Sequence, residues 1–146
     1  EHQDGDLPEL RLSEAWVKGA PSIWKLYYNA SIGGQAILGV PMVRRLKLKY
    51  GDAMKVWPFE TGWGPLTPAE LEGVRLLACE VFTGLVEAKP GPGGETKDQA
   101  EVRATAEHLA RLDDASRRSA LFAAPKDLDT ASAEVARTEE GWILGS

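Results

Sequence analysis

The sequence predicts an α/β layer architecture, with a short mixed or parallel sheet and several helices in the C-terminal part of the chain. Two β-prone runs, MKVWPFET and VRLLACEVF, are separated by about a dozen residues, which is just long enough for a parallel crossover. Helical segments then follow one another after residue 97. The length of 146 residues predicts a single domain, because it supports one hydrophobic core.

The first third of the chain predicts an entry segment and a long helix. Residues 1–20 are polar and interrupted by proline and glycine, so they predict an extended or weakly helical segment with one short helix over 13–18. Apolar positions from Gln35 onward predict a second helix. We expect it to bend or restart at Pro41 and to end at Gly51.

The two β-prone runs differ in their predicted burial. Pro58 cannot donate to a sheet ladder, so the first run is expected to be an edge or to end there. The nearly continuous apolar run over 74–82 predicts a strand buried on both faces. Between the runs, Thr67 and Glu70 have capping-box spacing and predict a helix of about one or two turns that ends at Gly73.

After a loop rich in proline and glycine, the chain predicts three helical pieces. Asp98 and Glu101 predict the N-cap and capping box of the first helix. The second and third pieces are expected over 115–123 and 127–137, separated by Pro125. The aromatic residues expected to pack are Trp24, Tyr27, Tyr28, Trp57, Trp63 and Trp142.

Composition excludes several classes of protein. One cysteine and two histidines exclude an intrachain disulfide and the usual structural zinc site, so a reducing cytoplasm is the expected location. The polar, acidic N-terminus and the lack of a long apolar run predict neither a signal peptide nor a membrane partner. Because the chain begins at Glu1 rather than methionine, we expect a processed or trimmed product or a fragment of a longer protein.

Three carboxylates form the candidate catalytic set. Glu60 closes the first predicted strand, Glu80 interrupts the second, and Asp98 follows the glycine-rich loop. Ligands of parallel sheets bind beyond the carboxyl ends of the strands. Carboxylates without a histidine or cysteine cluster suit magnesium or manganese, with Glu80 and Asp98 as the metal ligands. The structural alternatives are an N-cap for Asp98, an exposed strand end for Glu60 and a structural partner for Glu80.

One basic stretch lies within a chain whose net charge is −5. Its cations could contact a phosphate backbone, which makes nucleic acid a candidate partner. The alternative is a solvated helix end, where the helix dipole favours cations. The residues concerned are Arg44, Arg45, Lys47 and Lys49.

Several segments together carry a resemblance to a known family: YYNASIGGQAILGVPMVRRL, VWPFETG, CEVFTG, KDQAEV and EEGWILG. They resemble the C-terminal half of an uncharacterised bacterial family that has the ribonuclease H-like fold and is counted among predicted nucleases. The resemblance implies a partial ribonuclease H-like layer with metal-binding carboxylates at Glu80 and Asp98 and a further one at Glu60. The first-strand aspartate of that fold has no counterpart here, which implies that the N-terminal half of the fold is missing.

Two hypotheses follow from this reading. The first is a metal-dependent nuclease or phosphodiesterase of ribonuclease H-like type, completed by missing sequence or by another chain. The second is a non-catalytic α/β domain that associates with proteins through its aromatic residues and its basic helix end. The missing strands would leave an unpaired sheet edge, so a homo-oligomer is also expected.

Overall fold

The computed structural model describes residues 8–27, 31–91, 93–112 and 115–146, and it contains five α-helices and two strands. The helices are α1 Leu12–Trp16, α2 Gly33–Tyr50, α3 Lys97–Arg111, α4 Ala115–Ala120 and α5 Thr130–Val135, and the strands are β1 Met54–Val56 and β2 Leu76–Ala78. Short helical turns cover Gly51–Ala53, Thr83–Leu85 and Ala136–Glu140. This mixture of helices with a small parallel sheet confirms the predicted general α/β class.

The sheet is smaller than the sequence predicted. β1 and β2 pair in parallel, with Met54 opposite Leu76 and Val56 opposite Ala78. Beyond β2, Glu80 and Ile143 form an isolated parallel bridge, so the C-terminal segment extends the sheet. The expectation of a strand over 74–82 buried on both faces is wrong, because β2 has three residues and Leu76 is 36% exposed. Strands buried on both faces need layers on both sides, and among the described residues the core covers one side of β2.

The core lies between the sheet and the C-terminal segment. Trp57, Ala136 and Trp142 are buried at its centre. Trp63 packs edge-on against Trp57 and Trp142, with ring centroids 5.4 and 6.0 Å apart, and its indole N–H donates to the carbonyl of Ala133. The prediction that these three tryptophans anchor the core is therefore confirmed.

The aromatic residues before α2 do not pack as predicted. Trp24 is 50% exposed and Tyr27 is 95% exposed, while Tyr28 lies outside the described residues. The segment is nevertheless joined to α2, because the amide of Gly33 donates to the carbonyl of Lys25. A Cβ atom at Gly33 would lie 2.8 Å from Cδ2 of Leu26, so this glycine allows the segment to approach the first turn of α2.

Helix boundaries follow local chemistry closely. α2 continues through Pro41 without a new start and ends at Tyr50, and its C-cap is Gly51, whose φ of 53° suits glycine. The N-cap of α3 is Thr96 rather than Asp98, since Thr96 and Gln99 exchange both capping-box hydrogen bonds.

Of two other predicted helices, one does not form and the other does. Thr67 and Glu70 form the predicted capping bonds, but the residues up to Gly73 form turns and no helix. The third C-terminal piece is α5, whose N-cap Asp129 accepts from the amide of Ser132. Local side-chain bonds therefore predict where a turn begins, but packing decides whether it lengthens into a helix.

Candidate functional site

Both carboxylate oxygens of Glu80 are bound to the guanidinium of Arg11. Nη2 of Arg11 lies 2.6 Å from Oε1 of Glu80, and Nη1 lies 2.9 Å from Oε2. This bidentate pairing joins Glu80, two residues after β2, to the residue that precedes α1. The predicted metal ligand Glu80 therefore already has a cation as its partner.

Arg11 also binds two further glutamates, and we call Arg11, Glu14, Glu80 and Glu140 the Arg11 clasp. Nε of Arg11 donates to Glu14 over 2.9 Å, and Nη1 donates to the carbonyl of Glu140 over 3.1 Å. The carboxylate of Glu140 in turn accepts from the amide of Leu12. The clasp thus joins α1, the end of β2 and the turn before the C-terminal segment.

The centre of the clasp, Arg11 and Glu14, is buried. Arg11 and Glu14 are only 6% and 3% exposed. Burial alone lowers the pKa of Arg11, but its hydrogen bonds and charge interactions with Glu80 and Glu14 outweigh this and raise the pKa above its ordinary value. The amide of Ile23 also donates to Glu14. The buried ions are therefore paired and hydrogen-bonded, which is the arrangement that buried charges require.

Glu60 is also paired with a cation, and it closes the outer edge of β1. Its Oε1 lies 2.6 Å from Nζ of Lys47, and Lys47 donates to the carbonyl of Met54. Its Oε2 accepts from the amide of Val56, whose carbonyl accepts from the amide of Glu60. Burial would raise the pKa of Glu60, but the bonds from Lys47 and Val56 lower it overall.

The outward-facing backbone groups of β1 are therefore satisfied. The remaining one, the amide of Met54, donates to the carbonyl of Gly51. The expected unpaired edge does not occur at β1, because the Lys47–Glu60 ion pair and adjacent turns occupy the groups that another strand would bind. Lys47 and Glu60, predicted as functional residues, have structural partners here.

Asp98 is in a third, separate setting. It is exposed in the first turn of α3, where a carboxylate interacts favourably with the helix dipole. Across the part of the chain that the structure describes, no group of three or more histidine, cysteine, aspartate or glutamate side chains is arranged to hold a metal ion. The three predicted carboxylates therefore do not lie together in such a site. At Glu80, the guanidinium of Arg11 binds the carboxylate oxygens that a metal ion would need.

The groove beside α3 also has paired charges. It has a volume of about 400 Å³ and lies between the segment around Val86 and α3. Arg103 binds Glu95 and Glu107 there, and Arg111 binds Glu107. Its two arginines therefore already have carboxylate partners.

Exposed apolar side chains are concentrated in residues 24–48, a region that the sequence did not identify. Among the described residues, Val102 on α3 is the one large apolar side chain outside this region that is at least half exposed. The others are Trp24, Leu26, Tyr27, Ile37, Leu38, Val40, Met42 and Leu48. Five of these belong to α2, which packs only by part of its surface against β1 and the following turn.

The two sides of α2 can be assigned from burial. Ala36, Val43, Lys47 and Tyr50 are half-buried and recur on one side of a helix with about 3.6 residues per turn. The opposite side is defined here as the outward face and consists of Gly34, Leu38, Pro41, Arg45 and Leu48. Leu38 and Leu48 are each 77% exposed on it. The signal available in the sequence was an apolar helix whose apolar positions do not form one stripe.

The predicted nucleic-acid contacts lie at the C-terminal end of the same helix. Arg44, Arg45 and Lys49 are exposed, and Nζ of Lys49 lies 5.4 Å from the ring centroid of Tyr50. Lys47 differs, because it binds Glu60 and the carbonyl of Met54. The structure therefore separates one structural lysine from three exposed cations.

No known protein family, curated protein or solved structure matches this chain. None of the helices within the described residues is both long enough and apolar enough to cross a membrane.

Proposed function

We propose that this protein is a non-catalytic α/β domain that binds another protein through the outward face of α2. The observation that carries the proposal is the concentration of exposed apolar side chains in residues 24–48, compared with one such residue elsewhere in the described chain. Exposed apolar side chains concentrated in one region of a protein mark interaction sites.

The distribution of charge along α2 favours a protein partner over a nucleic acid or a membrane surface. No charged residue occurs over residues 33–43, and the cations follow it along the axis. A helix lying in a membrane surface has its cations beside an apolar face, whereas Arg45 lies in the middle of the outward face here. A phosphate backbone would leave Leu38 without apolar contacts.

A photo-crosslinker in the native host tests this proposal. Benzoylphenylalanine replaces Leu38, and the control places it at Val102, which is 61% exposed on α3. We expect a protein adduct from position 38 and much less from position 102. Equal yields at the two positions would contradict the proposal, and an adduct to nucleic acid would replace it with nucleic-acid binding.

A second candidate is a metal-dependent phosphodiester hydrolase of ribonuclease H-like type, with Glu80, Glu60 and Asp98 as its carboxylates and magnesium or manganese as its cofactor. The observation that favours it is the parallel pairing of β1 and β2, after which Glu60 and Glu80 follow in the chain. The observed partners do not fit a metal, because Arg11 occupies both oxygens of Glu80.

Manganese titration calorimetry together with a nuclease assay tests the second candidate. The comparison is between the parent chain and Glu80→Gln. Manganese binding and cleavage that both disappear in Glu80→Gln, while the variant stays folded, would favour the hydrolase. If the parent chain neither binds manganese nor cleaves a substrate, the hydrolase is ruled out.

A further inference from the structure

We infer that the protein bound by α2 has a cluster of carboxylates beside an apolar surface. Its carboxylates bind Arg44, Arg45 and Lys49, and its apolar side chains cover Leu38 and Pro41 in the preceding turns of the helix. This inference rests on the proposed function and names the chemistry of the partner.

Charge is distributed unevenly along the chain. No aspartate or glutamate occurs over residues 15–51, whereas six lysines and arginines do. All 22 carboxylate side chains lie outside this stretch, and the net charge of the whole chain is −5. α2 therefore lies within a segment that has cations and no anions of its own. A partner that complements its charge must supply the carboxylates.

The exposed cations of α2 are not neutralised by other side chains. Arg44 and Arg45 have no side-chain hydrogen bond or ion pair within the described residues. Lys49 is paired only with an aromatic ring there, since its Nζ lies 5.4 Å from the ring centroid of Tyr50. Because Arg45 and Lys49 are four residues apart, their like charges repel each other across one turn. A carboxylate bound between them removes this repulsion.

The apolar and basic parts of α2 point to the same side. Leu38, Pro41 and Arg45 belong to the outward face, and Lys49 lies beside it because it follows Arg45 by four residues. The rise of an α-helix separates Leu38 from Arg45 by about 10 Å along the axis. We therefore expect the carboxylates of the partner to lie about 10 Å from the apolar side chains that cover Leu38.

A carboxylate-bearing protein fits both parts of this surface. Each guanidinium of Arg44 and Arg45 can bind a carboxylate through two parallel hydrogen bonds. The protein side chains around that carboxylate can be apolar, so they remove Leu38 from water at the same time. A phosphate backbone matches the cations and leaves the apolar turns without a partner.

Three synthetic helical peptides of about 20 residues test the inference against the full chain. The first has leucines along one side and glutamates at one end. Glutamines replace the glutamates in the second peptide, and alanines replace the leucines in the third. Fluorescence anisotropy at low salt measures binding, and we expect the first peptide to bind at least tenfold more tightly than either of the others. Equal binding of the first and second peptides, or no binding of any, would overturn the inference.

A charge exchange tests whether Arg45 is the contact. Arg45→Glu is expected to weaken binding of the glutamate peptide at least tenfold and to strengthen binding of a peptide that has lysines instead. The matched control is Lys126→Glu, which makes the same change of charge at an exposed residue outside α2 and is expected to stay within about twofold. Circular dichroism checks that both variants are folded. Equal weakening in the two variants would overturn the inference, because binding would then follow net charge.

Carbodiimide crosslinking tests for a carboxylate beside Lys49. The reagent activates a carboxylate of the peptide, and a lysine amine then displaces it to form an amide, a reaction that arginine does not undergo. Lys49→Arg is expected to keep peptide binding and to lose most of the crosslinked product. Lys126→Arg is expected to keep both. An undiminished yield with Lys49→Arg would overturn the placement of the carboxylates at this end of α2.

The outcomes separate this inference from the proposed function. If the peptides contradict the inference while residue 38 crosslinks to a protein in the native host, the proposed function holds with a partner of different chemistry. Duplex DNA and vesicles of phosphatidylserine and phosphatidylcholine are measured beside the peptides. Binding of either that is tighter than that of the glutamate peptide, and that is lost in Arg45→Glu, would overturn both.

Discussion

The Arg11 clasp with its tryptophan core and the outward face of α2 use similar residue types in opposite ways. In the core, Trp57 and Trp142 are 2% and 1% exposed, and the adjacent charges of Arg11 and Glu14 are buried and paired. On α2, leucines are exposed and Arg44 and Arg45 have exposed positions. The difference shows that apolar content alone does not locate the core, because distant segments must meet to cover a side chain.

The contacts of the two regions explain this difference. The clasp joins Arg11 to Glu80 and Glu140, residues far apart in the chain, and the C-terminal segment packs across the same place. α2 is local, since it packs against β1 and the turn that directly follow it. A substitution in the first region should therefore change stability, whereas one on the outward face should change association.

The largest effect is expected for Trp57→Ala. Trp57 is buried at the centre of the core and contacts Trp63 and Phe122 edge-on. Its truncation should lower the free energy of unfolding by about 3–5 kcal/mol, because it leaves a large cavity. Urea denaturation followed by far-UV circular dichroism measures this. A loss below about 1 kcal/mol would show that the core is not centred on Trp57.

Arg11→Ala is expected to cost less, about 2–3 kcal/mol. It leaves Glu14 buried without its cation, but the side chain of Glu80 is 36% exposed, so water partly compensates there. The matched control is Arg137→Ala, which removes an exposed pair with Glu134 and should cost under about 1 kcal/mol. Equal losses in the two variants would mean that the clasp is not a buried network.

Lys47→Glu is expected to cost about 1–2 kcal/mol. The change removes the bonds to Met54 and Glu60 and places a second carboxylate beside Glu60. Arg44→Glu, on the same helix, is the control and should stay within about 0.5 kcal/mol. Thermal denaturation of both variants measures the difference. Indistinguishable variants would show that the bonds of Lys47 to Met54 and Glu60 do not contribute to stability.

The ion pair of half-buried Glu95 with Arg103 gives a smaller, pH-dependent effect. The hydrogen bond from Arg103, with that from the amide of Gly91, lowers the pKa of Glu95 from 4.5 to about 2. A lowered pKa in the folded state means that this stabilisation is present above pH 4.5 and is lost as the pH falls towards 2. Glu95→Gln should therefore flatten the urea midpoint over that range. A parallel acid profile in parent and variant would contradict this.

The smallest effect is expected for Leu38→Ser. Its side chain is 77% exposed, so the free energy of unfolding of the monomer should change by less than about 0.5 kcal/mol. Measurement at low protein concentration separates folding from association. A loss of about 2 kcal/mol would place Leu38 in a core and would remove the contrast between α2 and the clasp.

The candidate site was predicted only in part, because partners that are distant in sequence decide what a carboxylate does. The sequence placed Glu60 and Glu80 after two strands that do pair in parallel. It gave no sign that Lys47 would bind Glu60 or that Arg11 would bind Glu80. Asp98 was predicted as an N-cap candidate two residues away from the true cap, Thr96, because both residue types suit that position.

The sequence by itself determined the local features of this protein. Helices α2 and α3, the C-cap of α2 at Gly51 and the tryptophan anchors of the core follow from periodicity, glycine and apolar size. Only the tertiary structure decided which apolar and charged residues are covered. Burial depends on contacts between segments such as Arg11, Glu80 and Trp142, which residue order does not encode locally. In the tertiary structure, the apolar side chains of α2 are therefore exposed and the charged residues Arg11 and Glu14 are buried.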